Sequence, residues 1–172
     1  ELTYNWKTGH APVESYNNFI NRSYIELGEG ASGAQTQLTA DFSSIPVGGP
    51  SQTFAIYGWF NHGGDDKAPL MRGTTGASAL AFDIWSRPNS ANTISTFFYP
   101  DDGSGNYKEY RFTVPSTIWG DWYHLFVWYN HIKGTGDDAV YMWINGQYIG
   151  NTPAIHTSGG GPASADYLTF VN

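Results

Sequence analysis

The chain has 172 residues and a formal net charge of −7, with only 8 lysines and arginines, and it contains no cysteine. The scarcity of cations argues against nucleic acid, anionic membranes and strongly acidic glycans as partners, because each of them is bound through clustered positive charge. The absence of cysteine excludes disulfides and cysteine-based zinc sites, and no apolar run is long enough to predict membrane insertion.

Short alternating apolar runs, separated by turns rich in Gly, Pro, Asn and Asp, recur along the chain, and helical periodicity is nearly absent. The stretch Glu1–Asn21 is predicted to be an edge strand or a linker. Further strands are predicted over Ser23–Leu27, Thr53–Phe60, Ala79–Trp85, Thr93–Tyr99, Tyr107–Val114, Trp122–Asn130, Ala139–Ile144 and Tyr167–Val171. About eight short strands in a chain of this size predict an all-β antiparallel sandwich or barrel, here a single domain over residues 1–172.

The segment Trp119–Gly150 contains a hairpin with several recognisable features. It opens on a Trp-x-His pattern at Trp122 and His124, and its last strand ends in Asn145-Gly146, a pair that tolerates positive φ and favours a tight turn. Together with the strand that holds Trp59, this hairpin resembles the laminin G-like and pentraxin-like domains of the concanavalin A-like superfamily. The resemblance implies a two-sheet jelly-roll sandwich, and the fold by itself implies no particular ligand.

The sequence lacks the motifs of the enzymes that share this fold. Glycoside hydrolysis needs two carboxylates that flank the sugar bond, and the Glu-x-Asp-x-(x)-Glu strand pattern of such glycanases does not occur. There is no Gln-x-His of the related lyases and no Gly-x-Ser-x-Gly elbow, and none of the five histidines lies in a HExxH arrangement. His124 is interpreted as a structural histidine. We therefore expect that the chain is not an enzyme.

Strand alternation divides the side chains of three strands into an aliphatic and an aromatic set. The expected core consists of Leu125, Val127, Tyr129, Val140, Met142 and Ile144. The opposite face, which we call the aromatic face, carries Tyr57, Trp59, Phe126, Trp128, Tyr141 and Trp143. A large apolar surface that stays exposed marks a site of contact. A saccharide, a partner subunit or the chain's own long loops would each cover it.

Three Asp pairs occur in predicted turns, and the turn Pro100–Asn106 is the best candidate for a calcium site. Asp102, Ser104 and Asn106 alternate there as oxygen donors, which are the ligands that calcium prefers. The resemblance adds to this expectation, since laminin G-like and pentraxin-like domains often hold calcium at the rim of the sandwich. The alternative is a solvated turn in which Asp and Asn cap the backbone.

These observations predict a non-catalytic carbohydrate-binding module or lectin-like domain that takes a neutral or weakly charged glycan on the aromatic face. The alternative is a structural or assembly protein, such as an adhesin, fibre or virion-surface jelly roll, whose aromatic face packs against another subunit. Both hypotheses place the chain outside the cell or displayed on a surface.

Overall fold

The computed structural model describes residues 2–6, 13–17, 22–26, 36–41, 47–48, 53–62, 68–75, 79–88, 92–99, 107–130, 140–151, 156–157 and 164–171. Within them lie sixteen β-strands and one 3-10 turn at Ser116–Ile118. The strands are β1 (Leu2–Trp6), β2 (Val13–Asn17), β3 (Arg22–Glu26), β4 (Thr36–Asp41), β5 (Val47–Gly48), β6 (Phe54–Asn61), β7 (Ala68–Thr74), β8 (Leu80–Arg87), β9 (Thr93–Phe98), β10 (Lys108–Thr113), β11 (Trp122–Tyr129), β12 (Val140–Ile144), β13 (Gln147–Asn151), β14 (His156–Thr157), β15 (Ser164–Ala165) and β16 (Tyr167–Val171). No helix in the described part of the chain has the length and apolar character needed to cross a membrane.

The strands form two main antiparallel sheets. The larger has the order β1-β4-β16-β7-β8-β9-β10-β14, and the smaller has the order β13-β12-β11-β6. Two further pairs, β15-β5 and β2-β3, stand apart from these sheets in strand pairing. Strand β16 lies between β4 and β7, so the end of the described chain returns to the middle of the large sheet. The predicted all-β, antiparallel jelly-roll sandwich is confirmed.

The core lies between the two sheets and follows the alternation of the strands. In β11 every second residue is buried, and the same holds in β12. All six expected core residues are at most 3% exposed, which confirms that part of the prediction. The large sheet contributes the facing layer, which consists of Phe82, Ile84, Ile94, Phe98, Tyr110 and Phe112. Aromatic rings dominate this layer, and Phe98 and Tyr129 join the two sheets with ring centroids 5.0 Å apart.

The turn between β12 and β13 fixes the register of the small sheet. Asn145 and Gly146 have φ values of +51° and +77°, as the Asn-Gly pattern predicted. The Asn145 Oδ1 accepts a hydrogen bond from the backbone N–H of His124 at 2.8 Å, and the Asn145 N–H donates to the His124 carbonyl at 2.8 Å. The hairpin tip is therefore tied to the neighbouring strand β11, next to the first rings of the aromatic face.

Candidate ligand-binding face

The outer surface of the small sheet carries the aromatic face, and cross-strand pairing brings its rings together. Strand β11 lies between β6 and β12, so that Phe126 stands opposite Tyr57 on one side and opposite Trp143 on the other. The Phe126 ring lies 6.2 Å from the Tyr57 ring in a stacked arrangement and 5.2 Å from the Trp143 ring, edge to face. Such pairs hold one another in place, because aromatic rings prefer offset or edge-to-face contacts at these distances.

The row of rings continues to the edge of the sheet. Trp128 pairs with Tyr141 at a centroid distance of 5.0 Å, and Tyr141 stacks near Trp143 at 6.4 Å. Trp143 also contacts Tyr148 on the edge strand β13 at 5.2 Å. Tyr148 is held in turn by a hydrogen bond from its hydroxyl to the Asn151 Oδ1 at 2.9 Å. The six predicted rings thus share one surface, and Tyr148 extends it.

His124 lies at the other end of the aromatic face and adds polar groups. Its ring lies 5.4 Å from Trp59, edge to face, and 6.3 Å from Tyr57. Together with Trp122, Asn145 and Gly146, the His124 and Trp59 side chains line an open depression of about 450 Å³. His124 was expected to be structural, and its backbone does anchor the hairpin, but its half-buried ring also faces this depression.

The aromatic face is open to solvent at several points. Tyr57 is 68% exposed, Trp59 45% and Tyr148 49%, whereas the other four rings are half-buried by their neighbours. A second depression of about 660 Å³ runs along the rings of β11 and also includes Ala55 and Trp143. An exposed surface of stacked rings can receive a flat apolar surface, either the C–H face of a sugar or the side chains of a protein.

The calcium ligands predicted in the turn after β9, Asp102, Ser104 and Asn106, lie outside the described residues. Among the described residues there is no group of three or more His, Asp or Glu side chains that could hold a metal ion.

The outer surface of the large sheet holds a cluster of charged side chains that the sequence did not indicate. We call Arg72, Arg87, Arg111, Asp83 and Glu109 the arginine cluster. Glu109 Oε1 accepts hydrogen bonds from Arg111 Nη2 at 2.7 Å and Nε at 3.1 Å, and Arg87 Nη2 lies 3.7 Å from the same oxygen. Glu109 is 6% exposed, so it is buried against these partners.

Asp83 occupies the other carboxylate position of the arginine cluster. Arg72 Nε lies 3.2 Å from its Oδ2, and the Asp83 side chain is only 2% exposed. Burial raises the pKa of Asp83 to about 6, and the nearby Arg72 charge opposes this rise without cancelling it. Asp83 and Glu109 both stand opposite Phe97 of β9, one on each side. The fold therefore places one carboxyl group from β8 and one from β10 on either side of Phe97, and each has its own arginine partner.

A serine–histidine contact also occurs in the described residues. His62 Nδ1 lies 3.0 Å from Ser86 Oγ, and Ser86 Oγ donates to the Ala68 carbonyl at 3.2 Å. The tautomer of His62 sets which of the two groups donates in this contact. Ser86 is 0% exposed, so its hydroxyl is closed to a substrate and the contact is a structural one. Burial lowers the pKa of His62, which fits a neutral, structural imidazole.

No protein-family model and no curated protein matches the sequence. Among solved structures, the chain is similar to a native heptameric SAP-like pentraxin from Limulus polyphemus, with a TM-score of 0.45 and 13% identity over 70% of this chain and 51% of the pentraxin. It is also similar to an alginate lyase from Alteromonas sp. 272, with a TM-score of 0.44 and 14% identity over 85% of this chain and 62% of the lyase. In each match the chain spans less than two thirds of the other protein's length.

The sequence analysis excluded an enzyme, and that exclusion is wrong. It depended on missing motifs, yet one of the similar structures is an alginate lyase. Those motifs test residues that are close in sequence, whereas Asp83 and Glu109 are brought together from two strands. A shared fold assigns no activity in either direction, so the exclusion is withdrawn. Both similarities are at the level of the fold alone, at 13% and 14% identity.

Proposed function

We propose that the aromatic face binds a neutral or weakly charged saccharide. The observation that carries this proposal is the continuous row of partly exposed rings, which runs from Trp59 on β6 across β11 and β12 to Tyr148 on β13. Sugar rings present C–H-rich faces that stack on aromatic side chains, and a pre-packed row of rings receives them with little loss of side-chain entropy. A glycan-binding role of this kind places the protein outside the cell or on a surface.

The polar end of the face supports a directional contact as well. Asn145 is exposed, and the bond between its Oδ1 and the His124 N–H holds its amide in place, while the NH₂ group takes no part in that bond. The His124 ring offers one further donor or acceptor. Ligand sites combine an apolar surface with a few such polar groups, which select the orientation of the ligand.

The extent of the face favours an oligosaccharide. The two depressions share His124 and Gly146, and together they reach from Trp122 to Trp128, all but the last residue of strand β11. At about 3.4 Å per residue this is about 20 Å, which exceeds the length of one sugar unit.

The test is a glycan array followed by titration calorimetry with the best glycan. Tyr57→Ala and Trp143→Ala should each weaken binding by about three- to tenfold, since one stacked ring contributes about 0.5–1.5 kcal/mol. Tyr167→Ala is the matched control, because Tyr167 is a half-buried tyrosine on the other sheet and lies outside the aromatic face. Equal losses in all three variants, or no binding to any glycan by the parent protein, would reject the proposal.

The same surface favours one alternative, a subunit interface, because Tyr and Trp dominate interface hot spots. Under that hypothesis the parent protein self-associates in sedimentation experiments, and Tyr57→Ala or Trp143→Ala shifts it toward the monomer. If the chain's own loops cover the rings instead, Trp143→Ala should destabilise the isolated monomer by about 3–5 kcal/mol. Saccharide binding predicts a monomer whose stability is nearly unchanged in both variants.

A further inference from the structure

The chain is acidic overall, yet its positive charge is gathered at one place. It has four arginines, and three of them, Arg72, Arg87 and Arg111, lie in the arginine cluster on the outer surface of the large sheet. Their side chains are 26%, 22% and 40% exposed, so part of each side chain reaches solvent. With two carboxylates present, the cluster keeps a net charge of at least +1 on a molecule of formal charge −7.

In the part of the chain that the structure describes, the arginines engage only some of their hydrogen-bond donors. A guanidinium carries five N–H donors. In the described contacts Arg72 donates from Nε to Asp83, and Arg111 donates from Nε and Nη2 to Glu109. Arg87 Nη2 stands 3.7 Å from Glu109, beyond hydrogen-bond distance, and its buried Nε has no partner among the described residues. The carboxylates therefore hold the guanidiniums in position and engage only part of their donors.

Two buried polar groups in the same part of the sheet also lack partners. Asp83 is 1% exposed and Thr93 is 4% exposed, and the Asp83 Oδ1 and Thr93 Oγ1 have no hydrogen-bond partner in the described part of the chain. Strand register places Thr93 opposite Arg87 and Asp83 opposite Arg72. A buried polar atom without a partner costs stability. A sugar hydroxyl can donate to the Asp83 Oδ1, and the Thr93 hydroxyl can donate to an anionic oxygen, so a sugar that carries both groups suits this pair of atoms.

We propose that the arginine cluster binds an acidic oligosaccharide through its carboxylate or sulfate groups. Arginine recognises both groups because its planar fork matches two oxygens at once. The cluster extends from β7 to β10, three strand spacings or about 14 Å, which suits repeated charges along a sugar chain better than one small anion. The Trp85 ring, with Arg72 Cζ 5.4 Å from its centroid, adds an apolar surface for a sugar ring.

This site is separate from the aromatic face, since the two lie on different sheets. The composition argued against acidic glycans as ligands, but the net charge is an average over the whole chain. The electrostatic potential at a site is set by the local charges, and partly buried guanidiniums are screened less than exposed ones.

The first experiment compares an oligogalacturonate, a sulfated oligosaccharide and a neutral cello-oligosaccharide by titration calorimetry at low salt. The two acidic probes distinguish carboxylate from sulfate recognition. Because the aromatic face is proposed to take neutral sugars, the comparison is made in Trp143→Ala protein, where at least one acidic probe should bind about tenfold or more tightly than the neutral probe. Arg111→Gln and Arg72→Gln should weaken that binding about tenfold. Lys108→Gln is the matched control on strand β10, at a position whose register partner is Phe98 of the core layer. Equal loss in the control, or no preference for acidic probes, would overturn the proposal.

A second measurement uses the unaltered protein, so it does not depend on how the variants fold. Phenylglyoxal modifies accessible arginines, and mass spectrometry reports each of the four sites. The acidic probe should protect Arg72, Arg87 and Arg111, and it should leave the extent of modification at Arg22, on the β2-β3 pair, unchanged. Equal protection of all four arginines indicates non-specific attraction, and no protection indicates that the cluster is not the site; either result contradicts the proposal. Tyr57→Ala should leave protection unchanged, which separates this site from the aromatic face.

Discussion

Asp83→Asn tests whether burial or ion pairing dominates the pKa of Asp83 in the arginine cluster. The substitution keeps the shape of the side chain and removes its charge, so it imitates the protonated carboxyl group. Burial raises the pKa of Asp83 from 3.8 to about 6, although Arg72 lies 3.2 Å away. The charged form is thus disfavoured in the folded protein despite its cation partner.

The size of the effect follows from the shift. A change of about 2 pKa units corresponds to about 3 kcal/mol, and no reduction for solvent screening is needed because the Asp83 side chain is 2% exposed. Between pH 3.8 and about 6 the folded state binds more protons at Asp83 than the unfolded state. The stability that protonated Asp83 contributes is therefore complete below 3.8 and is lost as the pH rises through about 6.

The assay is urea unfolding of the parent and the Asp83→Asn variant over a series of pH values. At about pH 8 the variant should be more stable by up to about 3 kcal/mol, and the difference should disappear as the pH falls toward 3.8. The lowered pKa of His62 affects both proteins equally and cancels in the difference. Asp121→Asn, at an exposed carboxylate, is the control. A variant that is less stable than the parent at about pH 8 would show that the Arg72 pair outweighs burial and would refute the reasoning.

Three further predictions concern the core and the metal. Gly73→Ala should destabilise the protein by about 1–3 kcal/mol in urea unfolding, since a Cβ there would lie 2.4 Å from the Phe82 ring; an unchanged midpoint would contradict this packing. Tyr123→Phe should leave the melting temperature unchanged or higher, because the buried hydroxyl has no partner among the described residues, and a loss above about 2 kcal/mol would reveal one. If calcium binds in the turn Pro100–Asn106, EDTA should lower the melting temperature of the parent and not of Asp102→Ala; an EDTA-insensitive parent would end the calcium hypothesis.

The core and the aromatic face were predictable because both follow from a period of two. Leu125 and Val127 alternate with Phe126 and Trp128 in one strand, so the sequence itself assigns each residue to a face. Tyr148 was missed because no strand was predicted after the Asn-Gly turn, where the short run Gln147–Asn151 has little apolar character and pairs with β12 through a register shift.

The arginine cluster could not be read from the sequence because its members come from three strands. Arg72, Asp83 and Glu109 each appear as an isolated charge within a mixed run, and only the pairing of β7 through β10 makes them neighbours. Strand β7 itself was not predicted, since it contains Pro69 and Gly73, two residues that are unusual inside strands. Local patterns specify faces, whereas contacts between distant segments depend on the order of strands in the sheet.

The alternation in β11 and β12 has a consequence for insertions and deletions. Each ring of the aromatic face on these strands is the chain neighbour of a core residue, as Trp143 is of Met142 and Ile144. Adding or deleting one residue within either strand would point the downstream rings toward the core and the aliphatic side chains toward solvent. Length variation among natural relatives should therefore be confined to the connections between strands, and a one-residue insertion after Val127 should abolish folding, whereas a two-residue insertion keeps each side chain on its face.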